Sequence, residues 1–167
     1  MKRVVLLRHG KSDWDADYGT DRDRPLAARG IRAAEAVGRF LAAAKEVPQR
    51  LVSSPAVRAR RTVELASEAG GWDLEIETVA SLYGGGVQAV LQTLRRQPEQ
   101  VESVLLAGHE PTWSLAASQL VGGGELRVPT ACLVVIDLQV SRWEQVDRGC
   151  GELQWLLPPR LLGAIED

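Results

Sequence analysis

Two short runs of unbroken apolar residues constrain this chain more than any other feature. They are "VVLL" at 4–7 and "VLLA" at 104–107, and each delivers a histidine beside a glycine. The first continues into Arg8, His9 and Gly10, the second into Gly108 and His109. A strand that is apolar at consecutive positions is buried on both faces, as in parallel sheets covered by helices on both sides. If the two strands run parallel in one sheet, both imidazoles emerge at the same edge. These are the chain's only 2 histidines, so a shared placement is hard to assign to chance.

The remaining patterns suit such a sheet. Residues 26–45 predict a helix with Ile31, Ala34, Val37 and Leu41 toward one face. "RLVSS" (50–54) is a short strand, and Ser54–Pro55 predicts a helix start with Ser54 as cap and Pro55 at the first helical position. That helix runs to about Ala69. "LEIET" (74–78) alternates like a strand, and 87–96 is an amphipathic helix carrying Val87, Val90, Leu91 and Leu94. A strand at 102–108 and a helix at 112–121 follow, then a late strand pair over 130–147 turning near Val140–Ser141. The Pro-rich tail to Asp167 carries no assignment. This alternation predicts one domain over 1–167: an α/β three-layer sandwich with a largely parallel central sheet flanked by helices.

Composition sets outer limits. Apolar residues at 45% and charged residues at 25% fit an ordinary globular domain. A net charge of −2 gives no electrostatic case for nucleic acid or an anionic membrane as partner. Cys132 and Cys150 make neither a disulfide framework nor a metal cluster, and Cys132 reads as a small buried residue. Arg8 interrupts the N-terminal apolar run too early for a leader, and no stretch approaches membrane-spanning length. A cytoplasmic protein is expected.

Ligands of such sheets bind beyond the carboxyl ends of the strands. That edge collects "RHGKSDW", "SSPAVR" and "GHEPTW". Arg8 precedes His9, and Arg58 lies in the first turn of the helix after Ser54–Pro55. Two histidines, two arginines and one or two helix N-termini suit a tetrahedral dianion. No cofactor and no metal is implied, because two histidines without a well-placed carboxylate make a poor zinc site. A neutral imidazole beside guanidinium groups can attack phosphorus in line, while its other nitrogen keeps a proton held by a backbone carbonyl.

Smaller signals are weaker. Lys11 and Gly10 are candidate phosphate-binding groups at the mouth, Lys11 being equally readable as a solvated loop residue. Trp14 reads as cover for a loop, and Thr62 as support for Arg58. Arg60 and Arg61 read as solvated, and the glycine runs at 84–86 and 122–124 as turns.

"LLRHG", "SSPAVRARRT" and "GHEP" together resemble the histidine phosphatase superfamily, the phosphoglycerate-mutase-like family, in order and spacing from residue 3 to about 147. The resemblance implies a phosphoglycerate-mutase-like fold, with His9 as the phosphorylated nucleophile and Arg8, Arg58 and His109 completing the phosphate pocket. The small size, "DRDRPLAARG" (21–30) and "RHGKSDW" are similar to the SixA-type branch. That branch implies hydrolysis of phosphohistidine on proteins such as histidine phosphotransfer domains. Mutase-type members place a glutamate after the third strand as proton donor, yet nothing here from Thr78 to Pro98 is acidic. An alkoxide needs a proton as it leaves, whereas a leaving imidazole needs less help. Asp13 and Glu110 are the candidate donors, with Asp15 and Asp17 behind them. The alternatives are a small-molecule phosphomonoesterase of the same fold and a phosphate-binding regulatory module.

Overall fold

The two apolar runs pair side by side. In the computed structural model, which describes residues 1–163, β1 (Lys2–Arg8) and β4 (Ser103–Gly108) are parallel, with Arg8 opposite Gly108. Beyond β4 lie β2 (Arg50–Ser53) and β3 (Ile76–Thr78), both parallel to it. On the other side of β1, β5 (Leu133–Leu138) runs antiparallel, and β6 (Gly151–Leu157) pairs antiparallel with β5. The order β3-β2-β4-β1-β5-β6 makes a mixed sheet in which β5 alone is reversed. The largely parallel sheet is therefore present, and His9 and His109 follow adjacent strands.

Helices cover both faces. Val5 and Leu7 of β1 pack under α1 (Ala28–Ala43) and α2 (Val57–Gly70) through Val37, Leu41 and Val63. Val4 and Leu6 pack under α3 (Gly86–Arg95) and α4 (Thr112–Leu120) through Leu91, Leu94 and Trp113. This is the α/β three-layer sandwich, and no helix of the described residues is long and apolar enough to cross a membrane. Cys132 is fully buried as a small core residue.

Three local expectations are corrected. Ile31 is exposed, because α1 approaches α2 through Gly38, whose Cα lies against the Ala66 backbone; the buried face is Gly30, Ala34, Val37, Gly38 and Leu41. Helix α2 begins at Val57 with Ala56 as its cap residue, and Ser54 does not cap it. Third, the partner of β5 is not at 141–147. Trp143–Gln145 is a 3-10 turn whose buried indole donates to the Val101 carbonyl at 2.7 Å. Trp143 and Val146 are both buried, a spacing of three that suits a turn and not the period of two a strand requires. The second strand is β6, drawn from the unassigned tail.

Candidate active site

The carboxyl ends of β1 and β4 present the histidines in the same manner. Gly108 has no room for a Cβ because the Trp113 indole of α4 lies against its Cα. Gly10 is equally confined, since a Cβ there would come within 2.8 Å of the Gly30 carbonyl at the start of α1. These glycines serve close approach of backbone, which lets each imidazole stand at the strand end. The ring centroids of His9 and His109 are 5.3 Å apart, at 53°.

His9 is held by its own loop. Its Nδ1–H donates to the Gly10 carbonyl at 2.7 Å, which leaves Nε2 with its lone pair. The Gly10 N–H in turn donates to Thr62 Oγ1 at 3.0 Å, and that hydroxyl donates to the Arg58 carbonyl at 2.6 Å. Thr62 thus ties the nucleophile loop to α2. Burial, reinforced by the charges of His109, Arg58 and Arg8, pushes the His9 pKa down to about 3. His109 is pushed down to about 4, first by burial and then by Arg58. Both rings are neutral near pH 7.

His109 Nε2 lies 2.7 Å from Ser54 Oγ, which also accepts from the Ala56 N–H at 3.3 Å. With Ser54 donating its hydroxyl proton to Nε2, the other nitrogen carries the hydrogen. That Nδ1, together with Arg8 Nε and Arg58 Nε, is buried without a hydrogen-bond partner. Unpaired buried donors are costly, and these three form a donor set for anionic oxygens, which accept from them. Arg8 is braced by the Val128 carbonyl at 3.0 Å. Arg58 is braced by Asp21, whose carbonyl and carboxylate accept at 2.7 and 3.0 Å.

The family assignment follows from comparison with known proteins. The sequence model of the histidine phosphatase superfamily (branch 1) matches residues 4–84. The Mycobacterium tuberculosis protein Rv1276c is 33% identical over 164 residues, spanning 92% of this chain and 100% of that protein. The chain belongs to the histidine phosphatase superfamily. Within the superfamily it falls in the SixA-type branch. Phosphohistidine phosphatase SixA of Escherichia coli is 27% identical over 162 residues, 94% of each chain. A solved structure, the protein histidine phosphatase SixA complexed with tungstate, superposes with a TM-score of 0.83 at 26% identity, covering 96% of this chain and 99% of that one. A histidine phosphatase site is therefore expected where His9 and His109 meet.

Of the residues singled out in the sequence, Arg8, His9, Arg58 and His109 come together. Gly10 contributes its backbone to His9 and Thr62 rather than a free N–H. Lys11 is exposed and lines a groove beside the site. Glu110 Oε1 accepts from the Ser114 N–H at 2.7 Å and so caps α4, and its charge reaches Arg8. Asp13 closes its own loop by accepting from the Asp15 N–H at 3.0 Å. Trp14 is exposed with the Arg24 guanidinium 3.5 Å above its ring. Arg60 and Arg61 pair with Glu64 instead of standing free in solvent.

Three contributors of this histidine phosphatase were not visible in its sequence pattern. Ser54 carries the sequence pattern of a helix cap. Asp21 sits in a 3-10 turn and gathers Arg58, Arg24 (2.9 Å) and the Tyr83 hydroxyl (2.8 Å) on one carboxylate. Hydrogen bonds from Arg24 and Tyr83 hold its pKa well below the usual carboxylate range, so it stays charged. Tyr83 follows β3, and its ring meets the His109 ring edge-on at 5.6 Å and 72°. The position after the third strand is thus occupied by a phenol in contact with the site.

Proposed function

We propose that this chain hydrolyses phosphohistidine on protein substrates, with His9 as a covalent nucleophile. The observation that carries the reading is the Nδ1–H bond to the Gly10 carbonyl, which leaves a neutral, unprotonated Nε2 beside the buried Arg58 and the half-buried Arg8. Nε2 attacks phosphorus as the P–N bond of the substrate breaks, and the leaving imidazole takes a proton from solvent. Arg8, Arg58 and His109 Nδ1–H stabilise the equatorial oxygens. Water then attacks phosphorus, the P–Nε2 bond breaks, and phosphate leaves with His9 restored.

The choice of a P–N substrate is supported by the absence of an acid after β3. The Tyr83 hydroxyl donates a hydrogen bond to Asp21 and is thereby held protonated, while Asp21 is held charged. Neither group is a ready acid for an alkoxide, whereas a leaving imidazole can take its proton from solvent. No step calls on a metal.

The experiment compares a phosphohistidine-bearing phosphotransfer protein with a panel of sugar and glycerate phosphates, with wild-type chain and His9→Ala. The expected result is a strong preference for the phosphoprotein, lost in His9→Ala and unchanged by EDTA. A preference for the small esters would overturn the substrate. Equal rates for wild type and His9→Ala would overturn the catalytic reading in favour of a binding module.

A further inference from the structure

A groove of about 870 Å³ opens beside the phosphate pocket. Leu7, Leu133 and Leu157 stand in register across β1, β5 and β6, so the segment after Leu157 leaves the sheet at the edge where Arg8 and His9 emerge. One wall is α1 from Arg29 to Arg39, and the other is the 127–130 segment whose Val128 carbonyl braces Arg8. Pro158 and Pro159 close the far side.

The charge on this groove is one-sided. Lys11, Arg29, Arg32, Arg127 and Arg160 line it, all exposed, and Glu35 is the one acid among the lining residues described. None of those five cations has an ion pair among the described residues. Elsewhere most arginines are matched: Arg50, Arg60, Arg61, Arg95 and Arg142 each hold a carboxylate, while Arg22, Arg96 and Arg148 hold none among the described residues. On a chain of net charge −2, cations gathered at one groove without an ion pair among the described residues are a local feature. The surface between them is apolar, formed by Ala33, Ala36, Pro129, Leu156 and the two prolines.

We infer that this groove docks an acidic, amphipathic segment of the protein that carries the phosphohistidine. The inference rests on the proposed phosphoprotein substrate. An apolar floor within a cationic rim matches a helix or turn with carboxylates flanking one apolar stripe. No aromatic side chain lines the groove, so a nucleotide base finds no stacking platform among the described residues. The groove adjoins His9 through Lys11, so a docked segment holds a neighbouring phosphohistidine at the nucleophile. Affinity for the partner is then separate from affinity for phosphate.

The test uses the charge-reversed variant R29E/R32E/R160E, built from exposed residues outside the phosphate pocket. Its KM for the phosphoprotein should rise about tenfold with kcat unchanged, while hydrolysis of phosphoramidate stays within about twofold of wild type. Wild-type KM for the phosphoprotein should rise steeply with salt, and that for phosphoramidate much less. Binding is read separately by anisotropy of a labelled glutamate–leucine peptide of about fourteen residues and its glutamine-for-glutamate twin. Wild type should bind the acidic peptide at least tenfold more tightly than the twin, and the variant should bind neither. Equal binding of both peptides, a salt-independent phosphoprotein KM, or inorganic pyrophosphate held where the peptide is not would overturn the inference. A wild-type chain that binds the acidic peptide yet hydrolyses only small phosphates would instead sink the phosphoprotein reading and leave the groove standing.

Discussion

Ser54 Oγ stands 2.7 Å from Nε2 of His109, and with the serine hydroxyl donating it leaves the hydrogen of that ring on the buried, unpaired Nδ1. A serine at the end of β2 thereby sets the polarity of a histidine at the end of β4. Replacing it with alanine removes the only hydrogen-bond partner of the His109 ring among the described residues, and frees the ring to adopt the other tautomer. Ser54→Ala should lower kcat/KM about tenfold with little change in unfolding midpoint. An unchanged kcat/KM would show that the tautomer is set by other means.

Thr62 is fully buried and bonds both the Gly10 N–H and the Arg58 carbonyl. Thr62→Val keeps the shape but leaves the Gly10 N–H unpaired, at a cost of about 1–3 kcal/mol. The unfolding free energy should fall by that amount. Activity should fall as well, since the same loop carries His9. Loss of stability with intact kcat/KM would show that the loop holds without this tie.

Asp21 supplies the carboxylate for two guanidinium groups, those of Arg24 and Arg58, each only 5% exposed. Asp21→Asn keeps the acceptor oxygen but removes the charge, and Arg58 loosens. Inhibition by inorganic phosphate should weaken and kcat/KM should fall about tenfold. Tighter phosphate inhibition would mean that Asp21 competes with the anion instead of positioning its receptor.

The histidines also make a prediction for pH. Unfolded, both take up protons near 6.5; folded, His9 and His109 resist until about 3 and 4. Between those limits the unfolded state binds more protons. Stability therefore rises with pH and is lost as the solution is acidified below about 6.5, each histidine contributing a slope approaching about 1.4 kcal/mol per pH unit. Denaturant titrations at pH 7 and pH 5 should show this loss, reduced in His9→Gln. In parallel, kcat/KM should pass through pH 6.5 without an acid limb. A limb centred there would mean that the free-enzyme nucleophile titrates normally.

The four residues legible in the sequence share one cause. Arg8, His9 and His109 are fixed by where continuous apolar strands stop, and Arg58 by the first turn of the helix after β2. Adjacent parallel strands convert those sequence positions into one place. Ser54, Asp21 and Tyr83 have no such local signature, because their roles arise from packing between segments far apart in the chain. Ser54–Pro55 even carries the local pattern of a cap, which contact with His109 overrides. The tail strand β6 was hidden for a different reason: as an edge strand its burial is weak, with three consecutive exposed residues at Glu152–Gln154, so no alternation marks it.

The proposed mechanism passes phosphate through His9. The direct measurement is to quench turnover of a labelled phosphohistidine protein, digest the chain, and locate the label. The expected result is an acid-labile, base-stable phosphate on the peptide containing His9, absent from His9→Ala. A labelled residue other than His9, or full turnover by His9→Ala, would contradict it.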